Sequence, residues 1–265
     1  MRVTSLDTIL SLAIGDALKH RIAWGHGGFR LAPSYCREVA RWYDASPLDG
    51  ADARERDLYE SFKRETEDQF DALLAAGFSV RPWLEAGQPY KSSHELRARV
   101  VREHVLYVYL TASGHGPGPG RSVDDLDCGD HPMLVTSDYS VDGITFTYND
   151  LFRAVHDLFG HVMHPNTFRI EGELCAVMSH LTMYSTEVAP VVLAESAAQI
   201  CWFYYGPHLE ATGDPFGIGT TSPKPYPAQK VLVMPDRLVD GFWNMFTRER
   251  ASVNESDLAR ELVLA

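Results

Sequence analysis

The stretch YNDLFRAVHDLFGH, residues 148–161, sets two histidines five residues apart in an apolar, helix-forming run. Neutral imidazole is the commonest metal ligand among protein side chains. Two imidazoles near one helix end can take adjacent positions around an ion and leave others open for a carboxylate, water or substrate. We therefore predict that His156 and His161 bind a metal ion.

The spacing of this pair constrains the local backbone. Residues five apart in an ideal α-helix point about 140° away from each other. His156 and His161 therefore need a helix end or a distortion between them, and Gly160 is the expected break. The H-E-x-x-H helix of zinc proteases instead places its histidines four apart, with a glutamate after the first histidine. This chain has Asp157 at that position, which argues against a zinc-protease helix.

A third ligand must come from elsewhere in the chain. Glu195 is the lone acid in the apolar run of residues 189–205. Burying an unpaired carboxylate is unfavourable, and metal coordination would compensate for it. We therefore predict Glu195 as the third ligand, with an ion pair to Arg153 or Lys230 as the structural alternative. Two histidines and one carboxylate form the facial arrangement of non-haem Fe(II) oxygenases.

Further polar residues are expected around the metal. Glu173 and His180 lie seven residues apart on one face of the preceding helix, where they could support the ligands or extend them. Glu171 is the alternative inward-facing acid. Asp157 either caps the helix or orients an imidazole. The candidate catalytic residues are thus Asp157, Glu173 and His180, and Tyr184 is either a core residue or part of a cofactor pocket.

The hydrophobic pattern predicts one mainly helical domain over residues 1–265, with a few short strands and the metal site between core helices. Helices are expected over residues 51–76, 171–185 and 190–205, after Ser93 as a cap, and from Leu238 onward. Residues 137–147 are expected to form a short strand or hairpin, and residues 100–111 fit either a helix end or a strand. His131 is expected in a loop that faces solvent.

Composition and charge narrow the functional class. The 265-residue chain has a net charge of −12, which disfavours nonspecific binding to nucleic acid or anionic membranes. No apolar run approaches the roughly 18 residues of a membrane span. The four cysteines form no C-x-x-C pair and are expected to be reduced thiols of a cytoplasmic protein. The expected partners are therefore a small-molecule substrate and O2.

The motif HDLFGHV resembles the H-E-L-x-G-H-V metal motif of the pterin-dependent aromatic amino acid hydroxylases. In that family both histidines and a later glutamate bind iron, which implies His156, His161 and Glu195 here. The segment AESAAQICWFYYG, residues 194–206, is similar in its aromatic run and glycine. The resemblance covers residues 148–206 and implies Fe(II), with pterin as a second cofactor. The family's pterin-contacting loop and arginine segment have no clear counterpart in residues 117–150.

The chain is also similar to an uncharacterised domain of large phage-encoded polyproteins. The shared signatures are N-D-x-F-R-A-V-H-D-x-F-G-H, G-E, E-x-x-x-Q and an F-G-P-H-like sequence. This similarity implies that Glu173, His180, Glu195 and Gln199 belong to the site. Gln199, with Tyr184, is the candidate for cofactor binding.

These features predict a mononuclear non-haem Fe(II) oxygenase or hydroxylase, with positions beside the three ligands open for O2 and substrate. One alternative is a hydrolase in which the same ligands hold Zn(II) and Glu173 or Asp157 acts as the base. Another is a non-enzymatic interaction module with a structural metal. The sequence leaves the substrate, the number of metal ions and the oligomeric state open.

Overall fold

The computed structural model describes residues 28–114, 131–164, 166–210 and 226–246. Helices dominate these ranges, as predicted, and the strands are short. The α-helices are α1 (Pro33–Ala45), α2 (Ala53–Ala75), α3 (Ser93–Glu103), α4 (Thr111–Gly114), α5 (Tyr148–His156), α6 (Ile170–Leu181), α7 (Ala189–Leu193), α8 (Gln199–Tyr205), α9 (Pro207–Glu210) and α10 (Asp236–Trp243). Two π-helical segments, π1 (Asp157–Val162) and π2 (Ala194–Ala198), directly follow α5 and α7. The strands are β1 (Ser79–Trp83), β2 (Val105–Tyr109), β3 (Thr136–Val141) and β4 (Ile144–Thr147), and a 3-10 turn (Pro132–Leu134) precedes β3.

Side-chain caps explain where two of the helices begin. Asp52 accepts a hydrogen bond from the Glu55 amide, and Glu55 accepts one from the Asp52 amide, which forms a capping box at the start of α2. The helix predicted over residues 51–76 is therefore confirmed, with slightly narrower bounds. The cap of α3 is Ser92, so the prediction of Ser93 is wrong by one residue.

The strands form two separate pairs within the described residues. β1 and β2 are parallel, and α3 connects them. The two interpretations of residues 100–111 are both partly right, because α3 ends at His104 in the left-handed conformation (φ 54°) and β2 begins directly after it. β3 and β4 form the predicted hairpin, with a two-residue turn at Asp142 and Gly143.

Helix packing places α5 and π1 at the centre of the molecule. α2 and α6 both pack against this continuous helical segment, while α1 packs against α8. The run predicted as one helix over residues 190–205 is continuous, but π2 interrupts its regular α-helical pattern. The final helix begins at Asp236, two residues before the predicted start. Among the described residues, no helix combines the length and apolarity required to cross a bilayer.

Candidate metal centre

The π1 segment brings the two motif histidines onto the same side of the chain. The backbone does not break at Gly160, as the sequence had suggested, but continues in wider turns in which the Met163 amide donates to the Leu158 carbonyl over 2.9 Å. This i to i+5 pattern stacks residues five apart, unlike an α-helix. The His156 and His161 rings consequently lie 5.1 Å apart between centroids. The distortion that the spacing required is therefore a π-helical turn.

Gly160 has a packing role within π1. A Cβ atom placed on Gly160 would lie 2.9 Å from the Cβ of Ala176 on α6. The missing side chain therefore lets π1 and α6 approach closely. Glu173 lies three residues before Ala176 on α6, so this contact brings its carboxylate to the histidines.

His156, His161 and Glu173 form the candidate metal-binding group, hereafter the triad. Glu173 Oε2 lies 3.5 Å from His156 Nε2 and 3.3 Å from His161 Nε2. One ligand atom of each residue lies within 4.8 Å of the other two. Metal–ligand bonds of about 2.0–2.2 Å place neighbouring ligand atoms roughly 3.0–3.5 Å apart around one ion. The separations to Glu173 match that geometry.

The surroundings of His161 favour a metal ligand. Its Nδ1 lies 3.2 Å from the backbone carbonyl oxygen of Asn166, and the side-chain amide of Asn166 donates to the Gly160 carbonyl over 2.7 Å. Nδ1 therefore carries a proton, and the other nitrogen, Nε2, faces the Glu173 carboxylate. A neutral ring has only one N–H, so both contacts are favourable only if His161 is cationic or if Nε2 binds a metal ion. The donor chemistry of the triad thus fits a divalent cation.

The pKa shifts of His161 and Glu173 also favour binding of a cation by the triad. Burial opposes a charged His161 ring, but the Glu173 carboxylate, together with Asp157 and the Asn166 carbonyl, raises the pKa of His161. Burial would raise the pKa of Glu173, yet the two imidazoles lower it to about 2. The carboxylate is therefore ionised and ready to coordinate a cation.

The His180 ring lies next to the His156 ring. The two rings are 5.7 Å apart between centroids, and His180 Nε2 donates to Gln69 Oε1 over 2.9 Å. Burial, followed by the effect of His156, lowers the pKa of His180 well below its usual value, so its Nδ1 is a neutral acceptor. This Nδ1 and His156 Nδ1 are both buried without a hydrogen-bond partner among the described residues. With a metal on His156 Nε2, the N–H of the ring would be on Nδ1, and His180 Nδ1 would be available to accept a hydrogen bond from it, directly or through one water.

Glu195, the carboxylate predicted as the third ligand, lies on π2 and is not part of the triad. It lines the same cavity as Glu173, and its side chain is 1% exposed. Tyr59 donates to Glu195 Oε1 over 2.7 Å and Gln199 donates to Oε2 over 3.3 Å. The structure therefore groups Glu173 with the histidines and places Glu195 on another part of the cavity wall.

The ion pairs considered for Glu195 do not form. Lys230 donates instead to the backbone carbonyls of Tyr43, Asp44 and Ser46 at the end of α1. An Arg153 nitrogen donates to the Tyr109 carbonyl over 3.2 Å.

His131 is a site residue that the sequence did not reveal. It was expected in solvent, but it is only 2% exposed, and its Nε2 lies 3.3 Å from Glu195 Oε1. Its position in a loop showed no apolar periodicity from which burial could be predicted.

A cavity of about 490 Å³ opens beside the triad. His156, Asp157, Glu173, Glu195 and Gln199 line it, and the site residues expected there are thus largely brought together. Its aromatic lining includes Tyr90, Tyr109, Phe152, Phe168, Phe203 and Tyr204.

Of the candidate site residues Tyr184 and Asp157, only Asp157 lines the cavity. Tyr184 does not line the cavity: its hydroxyl lies 3.0 Å from Thr66 Oγ1, and its ring contacts His180 from the core. Asp157 does line the cavity, and burial raises the pKa of its carboxyl while His161 and His156 lower it. Asp157 is therefore the candidate proton acceptor among the residues that line the cavity.

Comparison of the chain with protein-family models, with curated proteins and with solved structures finds no match. The resemblances to the aromatic amino acid hydroxylases and to the phage polyprotein domain therefore stay predictions. The functional argument rests on the geometry of the triad and its cavity.

Proposed function

We propose that this chain is a mononuclear non-haem iron enzyme in which His156, His161 and Glu173 bind Fe(II). The observation that carries the proposal is one carboxylate oxygen within 3.5 Å of two imidazole Nε2 atoms at the edge of a cavity. Two histidines and one carboxylate with open positions are typical of Fe(II) oxygenases. Glu173 takes the ligand role in this proposal, and Glu195 lines the cavity without belonging to the triad.

Bound Fe(II) would supply O2-dependent oxidation of a small molecule, and the residues of the chain would prepare that chemistry. The Asn166 carbonyl orients the His161 ring through Nδ1, and the neighbouring His180 ring would support His156 once its Nε2 binds the metal. The aromatic residues that line the cavity would contact the apolar part of a bound substrate. A cavity of about 490 Å³ lies in the size range of small-molecule sites, which supports a small organic substrate.

Asp157 supports a second candidate, a Zn(II)-dependent hydrolase. Asp157 lines the cavity beside the triad, and the raised pKa of its carboxyl suits a group that accepts and returns a proton. Zn(II) on the same ligands would lower the pKa of a bound water toward about 7. A structural metal in a non-enzymatic module usually has four protein ligands, whereas the group found among the described residues has three.

Metal analysis of the purified chain and of two matched variants tests the proposal. Glu173→Gln removes the charge of the triad, while Glu171→Gln changes an exposed acid on the same helix. We expect one iron per chain in the wild type and in Glu171→Gln after anaerobic Fe(II) reconstitution, and loss of iron in Glu173→Gln. The reconstituted wild type should also consume O2 when it is screened with small molecules.

The alternative outcomes are distinct. Tightly held zinc that resists exchange for iron would favour the hydrolase. Equal metal content in both variants would show that Glu173 is not a ligand, and a wild type that binds no metal would refute the proposed function.

A further inference from the structure

Glu195 is a buried carboxylate that accepts hydrogen bonds from two side chains and contacts a third. Tyr59 donates to its Oε1 over 2.7 Å, and Gln199 donates to its Oε2 over 3.3 Å. His131 Nε2 lies 3.3 Å from Oε1, although its N–H is not aligned for a hydrogen bond. The two hydrogen bonds fix the orientation of the carboxylate.

The protonation of His131 argues against a second metal ion at Glu195. The Met133 amide donates to His131 Nδ1 over 3.1 Å, so this nitrogen carries a lone pair. The single proton of the neutral ring is therefore on Nε2, the atom that faces Glu195. An N–H group cannot coordinate a metal, so His131 and Glu195 do not form a ligand pair in this arrangement.

The contacts of the two Glu195 oxygens indicate that Oε2 is the one on the cavity side. Tyr59 and His131, which contact Oε1, do not line the cavity, whereas Gln199, which contacts Oε2, does. A carboxylate oxygen accepts more than one hydrogen bond. Oε2 therefore retains acceptor capacity toward a molecule in the cavity.

Glu195 lacks a cationic partner among the residues that the structure describes. Its ion-pair contact is with His131, which is neutral by the preceding argument. Arg153, which lines the cavity, interacts electrostatically with Asp157. Burying a carboxylate without a counter-charge is unfavourable, and neutral donors offset only part of that loss of solvation. A cationic ligand group would supply the missing charge.

We propose that Glu195 Oε2 binds a protonated amine of the substrate, so that the enzyme acts on a small molecule carrying an ammonium group and an apolar body. Phe203, Tyr204 and Tyr226 line the same cavity, and aromatic faces attract cations while they contact the apolar part. The inference rests on the proposed function, because that function assigns the metal to His156, His161 and Glu173 and so leaves Glu195 available to bind the substrate.

Binding of three matched probes to the full-length chain, with its metal, tests this site. The probes are 2-phenylethylamine, which is cationic at pH 7, the neutral 2-phenylethanol and the anionic 3-phenylpropionate. We expect the amine to bind the wild type at least about tenfold more tightly than the alcohol, because hydrogen bonds to charged groups contribute about 1.5–3 kcal/mol. Titration followed by NMR chemical shifts measures each Kd.

Two variants locate the effect. Glu195→Gln keeps the size of the side chain and should weaken amine binding by about tenfold to a hundredfold, with alcohol binding and metal content unchanged. Glu187→Gln, an exposed change in the turn before α7, is the control and should bind both probes like the wild type. The amine-to-alcohol ratio of the wild type tests the proposal even if Glu195→Gln does not fold.

The results separate this inference from the proposed function. An amine that binds no better than the alcohol would overturn the ammonium site and leave the metal centre intact. Loss of metal in Glu195→Gln would make Glu195 a ligand and would also overturn the site. Amine selectivity in a chain that binds no metal would support the ammonium site while the iron proposal fails.

Discussion

The contact between Gly160 and Ala176 should control both folding stability and metal affinity. A Cβ atom on Gly160 would lie 2.9 Å from Ala176 Cβ and 3.4 Å from Ala176 Cα. Neither atom can rotate away, and carbon atoms in contact are normally about 3.5–4.0 Å apart. In Gly160→Ala, π1 and α6 must therefore separate by roughly 0.6–1.1 Å.

The size of the effect follows from two opposing contributions. Overpacking of this kind destabilises a core by about 1–3 kcal/mol. Alanine is favoured over glycine in a helix by about 1 kcal/mol, which offsets part of that loss. We expect the free energy of unfolding of the metal-free chain to fall by up to about 2 kcal/mol. Because α6 carries Glu173, metal affinity should also fall by at least about tenfold, as for other changes that misplace a ligand.

Urea unfolding of the metal-free chain and competition titration with a chelator measure the two effects. The control is the double variant Gly160→Ala with Ala176→Gly, which removes the methyl contact from the other side. The double variant should recover most of the unfolding free energy that Gly160→Ala loses through overpacking, and its metal affinity should approach that of the wild type. Strictly additive changes, or a Gly160→Ala chain as stable and as tightly metal-bound as the wild type, would refute this reasoning.

Two further substitutions probe residues that support the site. His180→Ala removes the acceptor next to His156 Nδ1, so we expect metal affinity to fall about 10- to 100-fold in the same competition titration. An unchanged affinity would show that His180 is only a core residue. Tyr59→Phe removes a donor to Glu195 and leaves buried polar groups unpaired, so urea unfolding should show a loss of about 1–3 kcal/mol. A loss below about 0.5 kcal/mol would contradict that account.

Local sequence signals were sufficient for most of the helical architecture. The helix predicted over residues 51–76 differs little from the observed Ala53–Ala75, because its apolar spacing and its Asp52 cap both act within a few residues. The hairpin over residues 137–147 was predictable for the same reason. The π1 segment was not predictable, since the choice between i+4 and i+5 hydrogen bonds depends on how the helix packs.

The partners of the site depend on contacts between remote segments. Sequence reasoning placed Glu195 in a buried position but could not tell which neighbours its carboxylate meets. Those neighbours, Tyr59 and His131, come from distant parts of the chain, and the loop position of His131 showed no pattern that predicts burial.

The amino-acid sequence by itself determined a mainly helical chain and a histidine pair whose spacing requires a distorted helix. Only the tertiary structure decided which carboxylate joins that pair. Glu173 reaches His156 and His161 because Gly160 lets α6 approach π1 closely. The physical reason is that helix periodicity is local, whereas the meeting of ligand atoms depends on how whole helices pack against one another.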